Sequence, residues 1–388
     1  MIPEDWDIKN IGNISDVKTG PFGTALHEKD YVDNGTPIIT VEHLGEYGVD
    51  HSNLPMVSDE DKKRLKSYTL KVGDIAFSRV GSIDRNALIR KKEDGWLFSG
   101  RLLRVRVNNE KYDSRYLSHY FHSESFKQRI RGVAVGQTMP SLNTAILKGV
   151  KVVLPEMVEQ TTIANALSDA DALIQSLTRL IAKKRQIKQA AMQTLLNPYE
   201  NGRLKAGWVV KKLGDVAPLQ RGFDLPNSQL RPGQYPIVYS NGILNYHSKK
   251  QVSGPGVITG RSGTLGAVHY VEMDYWPHNT TLWVTNFFGN DPRFIYYLFK
   301  RIGFSRFGTG SGVPTLNRND AHSFVIGIPK QITEQTRIAT ILSDMDAEIA
   351  ALEAKLAKYR HIKQGMMQNL LTGRIRLVKP ESNTGAIA

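Results

Sequence analysis

Residues 159–196 read EQTTIANALSDADALIQSLTRLIAKKRQIKQAAMQTLL, and residues 334–371 read EQTRIATILSDMDAEIAALEAKLAKYRHIKQGMMQNLL. The two align without a gap at an offset of 175 (334 minus 159), with 22 of 38 positions identical. Chance does not produce such a match, so the chain is a tandem duplication, and its fold is to be read as one plan used twice.

Both copies carry a helical pattern. In the second, Ile338, Leu342, Met345, Ile349, Leu352, Leu356 and Tyr359 recur at alternating steps of four and three; in the first, Ile163, Leu167, Ala170, Ile174, Leu177 and Ile181 do the same. That is an a/d heptad seam. No Pro or Gly interrupts the first copy, and the second contains only Gly365. Each follows a Pro-containing loop (Leu154-Pro155, Ile328-Pro329), and the first stops at Asn197-Pro198. A helix of ~38 residues is ~57 Å long, more than one small domain buries. The expectation is an intramolecular antiparallel coiled coil through Ile163, Leu167, Ile174, Leu177 and Ile181 of one helix and Ile338, Leu342, Ile349, Leu352 and Leu356 of the other. The competing reading is that each helix simply covers its own domain.

The segments before the helices are related more faintly. Trp6 and Trp208 precede Ile11-Gly12 and Leu213-Gly214, followed by Gly20 and Gly222. Further on, Gly136-Gln137-Thr138-Met139-Pro140-Ser141-Leu142-Asn143 matches Gly310-Ser311-Gly312-Val313-Pro314-Thr315-Leu316-Asn317. Between these landmarks the halves diverge. TPIITVEHL (36–44), GDIAFSRV (73–80), WLFSGRLLRVRV (96–107) and GVKVVLP (149–155) are β-rich, as are YPIVYS (235–240), PGVITGR (255–261), AVHYV (267–271) and TLWVT (281–285). Short helices are expected at 114–130 and 292–302. The fold class is therefore α/β (α+β): two mixed α/β domains joined by two long helices, with a pseudo-two-fold internal repeat. The domains are drawn at 1–155 and 199–329, the helices at 156–198 and 330–375, and a tail at 376–388.

Composition narrows the chemistry. A chain of 388 residues exceeds the roughly 100–200 residues of one domain. With no cysteine, disulfides, thiolate metal sites and cysteine nucleophiles are excluded, in keeping with a reducing cytosol. No apolar run is long enough for a membrane span, and MIPEDWDIKN does not read as a signal peptide. The net charge of +14 favours a polyanionic partner, although a solvated basic surface is the plainer explanation. No G-x-x-x-x-G-K-S/T phosphate loop is found. Asn197-Pro198-Tyr199 partly matches the Asn/Asp-Pro-Pro-aromatic motif of methyltransferases but lacks one Pro and sits at a helix stop. Residues 260–266 are Gly-rich without dinucleotide spacing. His119 and His122 lie three apart with no further ligand, which suits packing rather than metal. Neither a catalytic residue nor a metal site is expected.

The paired EQTxIAxxLSDxDAxI and RxIKQxxMQxLL segments, the LLTGRIRL ending at 370–377, the Pro-Ser/Thr-Leu-Asn motif and the W-x-x-x-x-Ile/Leu-Gly opening together resemble the specificity subunits of type I restriction-modification systems, over essentially the whole chain. The resemblance implies that each variable domain is a target-recognition domain for one half of a split double-stranded DNA sequence. It implies that the helices fix the gap and dock two methyltransferase subunits, and that a restriction and translocase subunit joins through these. The chain itself would be non-enzymatic, without a cofactor; S-adenosylmethionine, ATP and Mg²⁺ would belong to the partner subunits, in a bacterial or archaeal cytoplasm. The first copy departs slightly, ending in LLNPYENGRL, which affects the helix end rather than the role. Two other readings remain: a DNA methyltransferase or nuclease with an unrecognised site, and a coiled-coil scaffold that binds no DNA.

Base edges are read by arginine on guanine and by asparagine or glutamine on adenine, and glycine lets backbone approach phosphate. The candidates in the first half are Lys18, Thr19, Gly20 and Phe22; Arg79, Gly81, Ser82 and Arg85; and Gln137, Thr138, Ser141 and Asn143. In the second half they are Gln220, Arg221 and Gly222; Tyr239, Ser240 and Asn241; Arg261, Ser262, Gly263 and Thr264; and Ser311, Thr315, Asn317 and Arg318. For any one of these a satisfied loop side chain is the competing reading. The motif common to both halves serves a shared task, either phosphate contact or a structural turn. The basic runs Lys183-Lys184-Arg185 with Lys188, and Lys358, Arg360 and Lys363, either line the DNA path or form a solvated or interface face. Met192 with Leu195-Leu196, and Met366-Met367 with Leu370-Leu371, either dock methyltransferases or pack under the adjacent domain. Because the halves have diverged, an asymmetric target is expected; a symmetric dimer would prefer a palindrome.

Overall fold

The computed structural model describes residues 2–21, 26–108, 110–136, 139–309 and 315–378. The chain divides into two compact units, one of Met1–Thr178 with Ala354–Ala388, the other of Arg179–Glu353. Both heptad patterns form single helices, Met157–Leu195 and Ile332–Leu370, of 39 residues each. Each helix therefore contributes one half to each unit.

Within the first unit a four-stranded antiparallel sheet runs in the order Ser15–Thr19, Leu102–Val107, Ile75–Ser78, Asn86–Leu88. Ile75–Ser78 and the first four residues of Leu102–Val107, its two central strands, are buried on both faces. Leu103 and Val105 point into one apolar cluster and Leu102 into another, as the period of two dictates. A second sheet contains a parallel pair, Leu97–Phe98 beside Thr36–Ile39. A short ribbon, Asp7–Asn10 against Lys151–Leu154, leads into the long helix.

The second unit repeats this plan. Its sheet order is Leu219–Arg221, Thr281–Val284, Gly256–Gly260, Val268–Val271, with the parallel pair Tyr235–Tyr239 and Trp276–Pro277 and the ribbon Trp208–Lys212 with Val325–Pro329. Two β-rich or helical segments are broken where the sequence reads as continuous. WLFSGRLLRVRV yields strands in two different sheets, separated by the loop Ser99-Gly100-Arg101. Residues 114–130 yield two helices, Ser114–His122 and Glu124–Val133, because the Ser123 hydroxyl accepts from Phe126 N and starts a new helix.

The helix seams do both things the sequence left open. In the first unit Ile163, Ala164 and Leu167 share a core cluster with Trp6, Tyr116 and Phe121, and the same cluster takes in Leu370 and Leu371 from the end of the other helix. In the second, Ile338, Ala339 and Leu342 join Trp208, Phe294 and Leu298, together with Met192 and Leu196. The antiparallel sense is explicit in each unit. Ile174, Leu177 and Leu356 in the first, and Ile181 and Ile349 in the second, are buried seam positions, with Leu352 half-buried. Of the two readings the sequence left open for Met192, Leu195 and Leu196, and for Met366, Met367, Leu370 and Leu371, packing is present: Met192, Leu196, Leu370 and Leu371 lie in the cores of their units and the others pack against them.

A repeated clamp ties each helix start to its domain. Gln160 donates to Pro155 O (2.8 Å) and accepts from Asp113 N (2.9 Å); Gln335 donates to Pro329 O (2.9 Å) and accepts from Asp291 N (2.9 Å). Asp113 and Asp291 in turn cap the helices Ser114–His122 and Pro292–Ile302. The LLTGRIRL ending also has a duty: Arg376 pairs with Glu159 (2.7 Å) and Asp5 (2.7 Å) and lies over the Trp6 ring.

The seam also carries charge. In the first unit Lys363 Nζ lies 2.7 Å from Asp171 and 2.9 Å from Glu46; in the second, Lys188 pairs with Asp346. These are the same pair twice, since 171 plus 175 is 346 and 188 plus 175 is 363. The third partner is also repeated: His119 approaches Asp171 (3.9 Å), and the Tyr297 hydroxyl donates to Asp346 (2.8 Å). Lys184–Glu348 (2.7 Å) and Arg185–Glu353 (2.6 Å) complete the ladder in the second unit. Lys184, Arg185, Lys188 and Lys363 are thus each paired with a carboxylate of the facing helix, Lys363 buried, Lys188 13% exposed and Arg185 still 65% exposed. Burial works against the charge of Lys363, but its hydrogen bonds to Asp171 and Glu46 win and hold the ammonium above the ordinary lysine range. His119 is pushed down to about 3 by burial and by the Lys363 charge, and His122 to about 4 by burial.

Removing one partner of a buried ion pair strands the other. Lys363→Met is expected to lower the unfolding free energy by about 3 kcal/mol. Lys188→Met should cost about 1 kcal/mol or less, because Asp346 is 39% exposed whereas Asp171 is 7% exposed. Equal losses in urea denaturation would contradict this ranking. The histidines supply a pH test. Both are neutral in the folded chain, so below pH 6.5 only the unfolded chain takes up their protons, and stability falls towards pH 4. His119→Gln should flatten that fall by about one proton, ~1.4 kcal/mol per pH unit; an unchanged slope would show that His119 is not held neutral.

Candidate nucleic-acid interface

The loops that carry the candidate residues converge on one corner in each unit. In the second unit the corner is organised by the polar loop His278-Asn279-Thr280, between the strands Trp276–Pro277 and Thr281–Val284. Arg261 N and Ser262 N both donate to Thr280 O, at 2.8 and 3.2 Å, and Ser240 N donates to the Thr280 hydroxyl at 3.3 Å. Gly222 N donates to Thr281 O (3.0 Å), and a Cβ at Gly222 would lie 2.2 Å from His278 O, so no other residue fits without displacing the loop. Gly263 passes over Ser240, in a left-handed conformation with φ of +78° that glycine tolerates. Ser262 bridges to Thr315, and Leu316 N donates to Arg261 O (2.8 Å). The Tyr239 ring lies 4.4 Å from the His278 ring. Burial lowers the basicity of His278. Arg221 pairs with Asp224 (2.9 Å), which also accepts from Asn279.

The first unit builds the same corner from the same backbone hydrogen bonds. Gly20 N donates to Leu102 O (3.0 Å), and a Cβ there would lie 2.1 Å from Ser99 O. Arg79 N donates to Arg101 O (2.9 Å), and Leu142 N donates to Arg79 O (2.8 Å). Arg79 thus stands where Arg261 stands, and Ser99-Gly100-Arg101 where His278-Asn279-Thr280 stands. Gly81 N donates to Pro140 O (3.0 Å), and Ser141 bridges to both Val80 and Val135.

The structure brings together Gly20, Arg79, Gly81 and Ser141 in the first unit, and Arg221, Gly222, Tyr239, Ser240, Arg261, Ser262, Gly263 and Thr315 in the second. Thr19, Ser82, Gln220, Asn241 and Thr264 lie on strand ends or turns flanking these corners, all but Thr19 exposed. Phe22, Gln137, Thr138 and Ser311 lie outside the described residues. Several candidates have a structural occupation within the chain. Asn143 and Asn317 cap the helices Thr144–Gly149 and Arg318–Ser323, which accounts for their place in the repeated motif; Arg318 opens the latter helix. The Arg79 guanidinium donates to Leu142 O and Gly100 O (both 3.3 Å), that of Arg85 to Leu44 O (2.6 Å), and the Lys18 ammonium to Ser67 O (3.0 Å), over the Tyr68 ring. The loops 99–101 and 278–280 escape a reading based on strand pattern. Their only sequence signal is a polar or glycine-containing break between two β-rich runs.

The sequence model of the family described as type I restriction modification DNA specificity domain matches residues 3–189 and 205–359. The chain belongs to that family. Two relatives come from Methanocaldococcus jannaschii. The specificity subunit of the type I restriction enzyme MjaIX is 22% identical over 424 residues, covering 97% of this chain and 95% of the relative. A protein assigned provisionally as the specificity subunit of MjaX is 26% identical over 410 residues, with the same coverage. Among solved structures, the type I restriction-modification S subunit from M. genitalium superposes with a TM-score of 0.67 at 16% identity, over 95% of this chain and 96% of that one; it shares the fold. The chain is thus a specificity subunit with two DNA-recognition domains, and subunits of this family carry no catalytic activity or cofactor of their own. No helix among the described residues is long and apolar enough to cross a membrane.

The close approaches at the corner give a test of its construction. Gly20→Ala and Gly222→Ala each drive a Cβ into a backbone carbonyl and should destabilise their own unit by about 1–3 kcal/mol. Gly149→Ala, at the end of the helix Thr144–Gly149, is the control, since a Cβ there meets nothing within 4 Å and the backbone is not left-handed. If both corner variants melt no earlier than the control, the loops are not packed as described.

Proposed function

We propose that this specificity subunit recognises an asymmetric, split double-stranded DNA target, each corner reading one half. The observation that carries the reading is the doubled corner itself: one set of backbone hydrogen bonds, built twice, presents Arg79, Gly100 and Arg101 in one unit and Arg261, Asn279 and Thr280 in the other. The same scaffold with different side chains is what two unlike half-sites require, whereas identical corners would suit a palindrome. Glycines that bring backbone close together, and arginine, asparagine and serine side chains around them, supply the donors for phosphates and base edges. The net charge of +14 suits a polyanion.

In this reading residues 1–155 and 199–329 are the target-recognition domains, residues 156–198 and 330–375 the spacer, and 376–388 a tail. The DNA-contacting set is drawn from the corner residues named above. Two methyltransferase subunits dock on the chain, and restriction and translocase subunits join through them. S-adenosylmethionine, ATP and Mg²⁺ act on those partners, and the complex works in a bacterial or archaeal cytoplasm.

Mapping methylated adenines in the host genome, with and without the gene, tests this directly. The expected result is one asymmetric motif of two short blocks with a constant gap; a palindrome or a single continuous block would overturn it. Matched insertions into residues 168–185 and 343–360 should change the gap and leave both blocks intact. Altered blocks with an unaltered gap would remove the helices from the measurement.

A further inference from the structure

We infer that Arg101, presented by the loop Ser99-Gly100-Arg101, is the residue that reads guanine in the first half-site. The inference rests on the function proposed above and assigns it a side chain. Arginine is the side chain best matched to guanine, through a bidentate contact to O6 and N7, and pattern alone points to Arg79 in this corner. The structure gives Arg79 other work. Its guanidinium donates to Leu142 O and Gly100 O, and its main chain brackets Arg101 O on one side and Leu142 N on the other. Arg79 is a clamp that shapes the loop.

Arg101 is the product of that clamping. Its carbonyl is held by Arg79 N at 2.9 Å, the carbonyl of its neighbour Gly100 by the Arg79 guanidinium, and Ser99 is pressed against Gly20. The backbone is therefore preorganised on three sides. The side chain, by contrast, is exposed, and among the described residues no hydrogen bond, ion pair or ring contact engages it. The next basic side chains along the adjoining strand are spoken for, Arg104 by Asp16 and Arg106 by Asp74 (2.6 Å). With the loop backbone already fixed, meeting a planar acceptor pair orders only the side chain, and the planar fork of the guanidinium spreads that loss over two hydrogen bonds. The second unit carries Thr280 at the equivalent position, so the arginine belongs to what differs between the halves rather than to the shared scaffold.

The test uses the full chain assembled with its methyltransferase subunit and a randomised double-stranded DNA library, comparing wild type, Arg101→Ala and Arg101→Lys. Arg101→Ala should lose roughly 10- to 100-fold discrimination at a single G·C position of one block, leaving the other block and the gap as in wild type. Arg101→Lys keeps the charge but not the fork, and should lose the discrimination while retaining most of the affinity. Because the side chain is exposed, both variants should melt with wild type, which separates reading from folding. A uniform loss across all sequences, with a shallower salt dependence, would make Arg101 a phosphate contact and overturn the assignment. So would an unchanged profile in Arg101→Ala while wild type selects its split site. A wild type that selects no split site would bring down the proposed function as well.

Discussion

The structure depends on the pairing of two long helices whose ends complete each other's domains. The first unit's core is closed by Ile163 and Leu167 from the start of one helix and by Leu370 and Leu371 from the end of the other; the second is closed by Ile338 and Leu342 with Met192 and Leu196. The first core therefore joins two separate stretches of chain, Met1–Thr178 and Ala354–Ala388, whereas the second is assembled within the continuous stretch Arg179–Glu353. The polar pairs Asp171–Lys363 and Asp346–Lys188 sit on this seam. A buried charge pair is poor evidence for stability, because desolvation opposes the attraction, but it penalises any register that leaves one partner alone. Glutamines 160 and 335 and the caps Asp113 and Asp291 extend this consistency from the seam into each domain.

On that frame the corners show how one scaffold accommodates two specificities. The hydrogen bonds that shape the corner use main-chain groups: Gly20 with Leu102 and Gly222 with Thr281, Arg79 with Arg101 and Arg261 with Thr280, Leu142 with Arg79 and Leu316 with Arg261. Main-chain bonds do not depend on which side chain is attached, so side chains are free to diverge while the loops keep their course. Glycine is retained where a Cβ would strike a carbonyl, at positions 20 and 222. The family membership and the fold shared with solved specificity subunits fit this division of labour.

Much of this was legible in the sequence because it rests on local or periodic signals. Repetition at an offset of 175, a four-three seam and flanking prolines determine two long helices and a doubled plan, since helical periodicity and duplication are written in residue order alone. The β-rich runs could be found for the same reason, and the resemblance carried by EQTxIAxxLSDxDAxI and LLTGRIRL extended them to a family. What the tertiary structure decided is which residues meet across the chain. The sequence could not show that Met192, Leu196, Leu370 and Leu371 are consumed by the cores, that Lys188 and Lys363 face carboxylates, or that Asn143 and Asn317 are caps. Nor could it separate Arg79 from Arg101. Both are arginines beside glycines in β-rich surroundings, and only the fold turns one onto its neighbours' carbonyls and leaves the other in solvent. Pairing of that kind is set by closure between distant segments, and no local pattern encodes it.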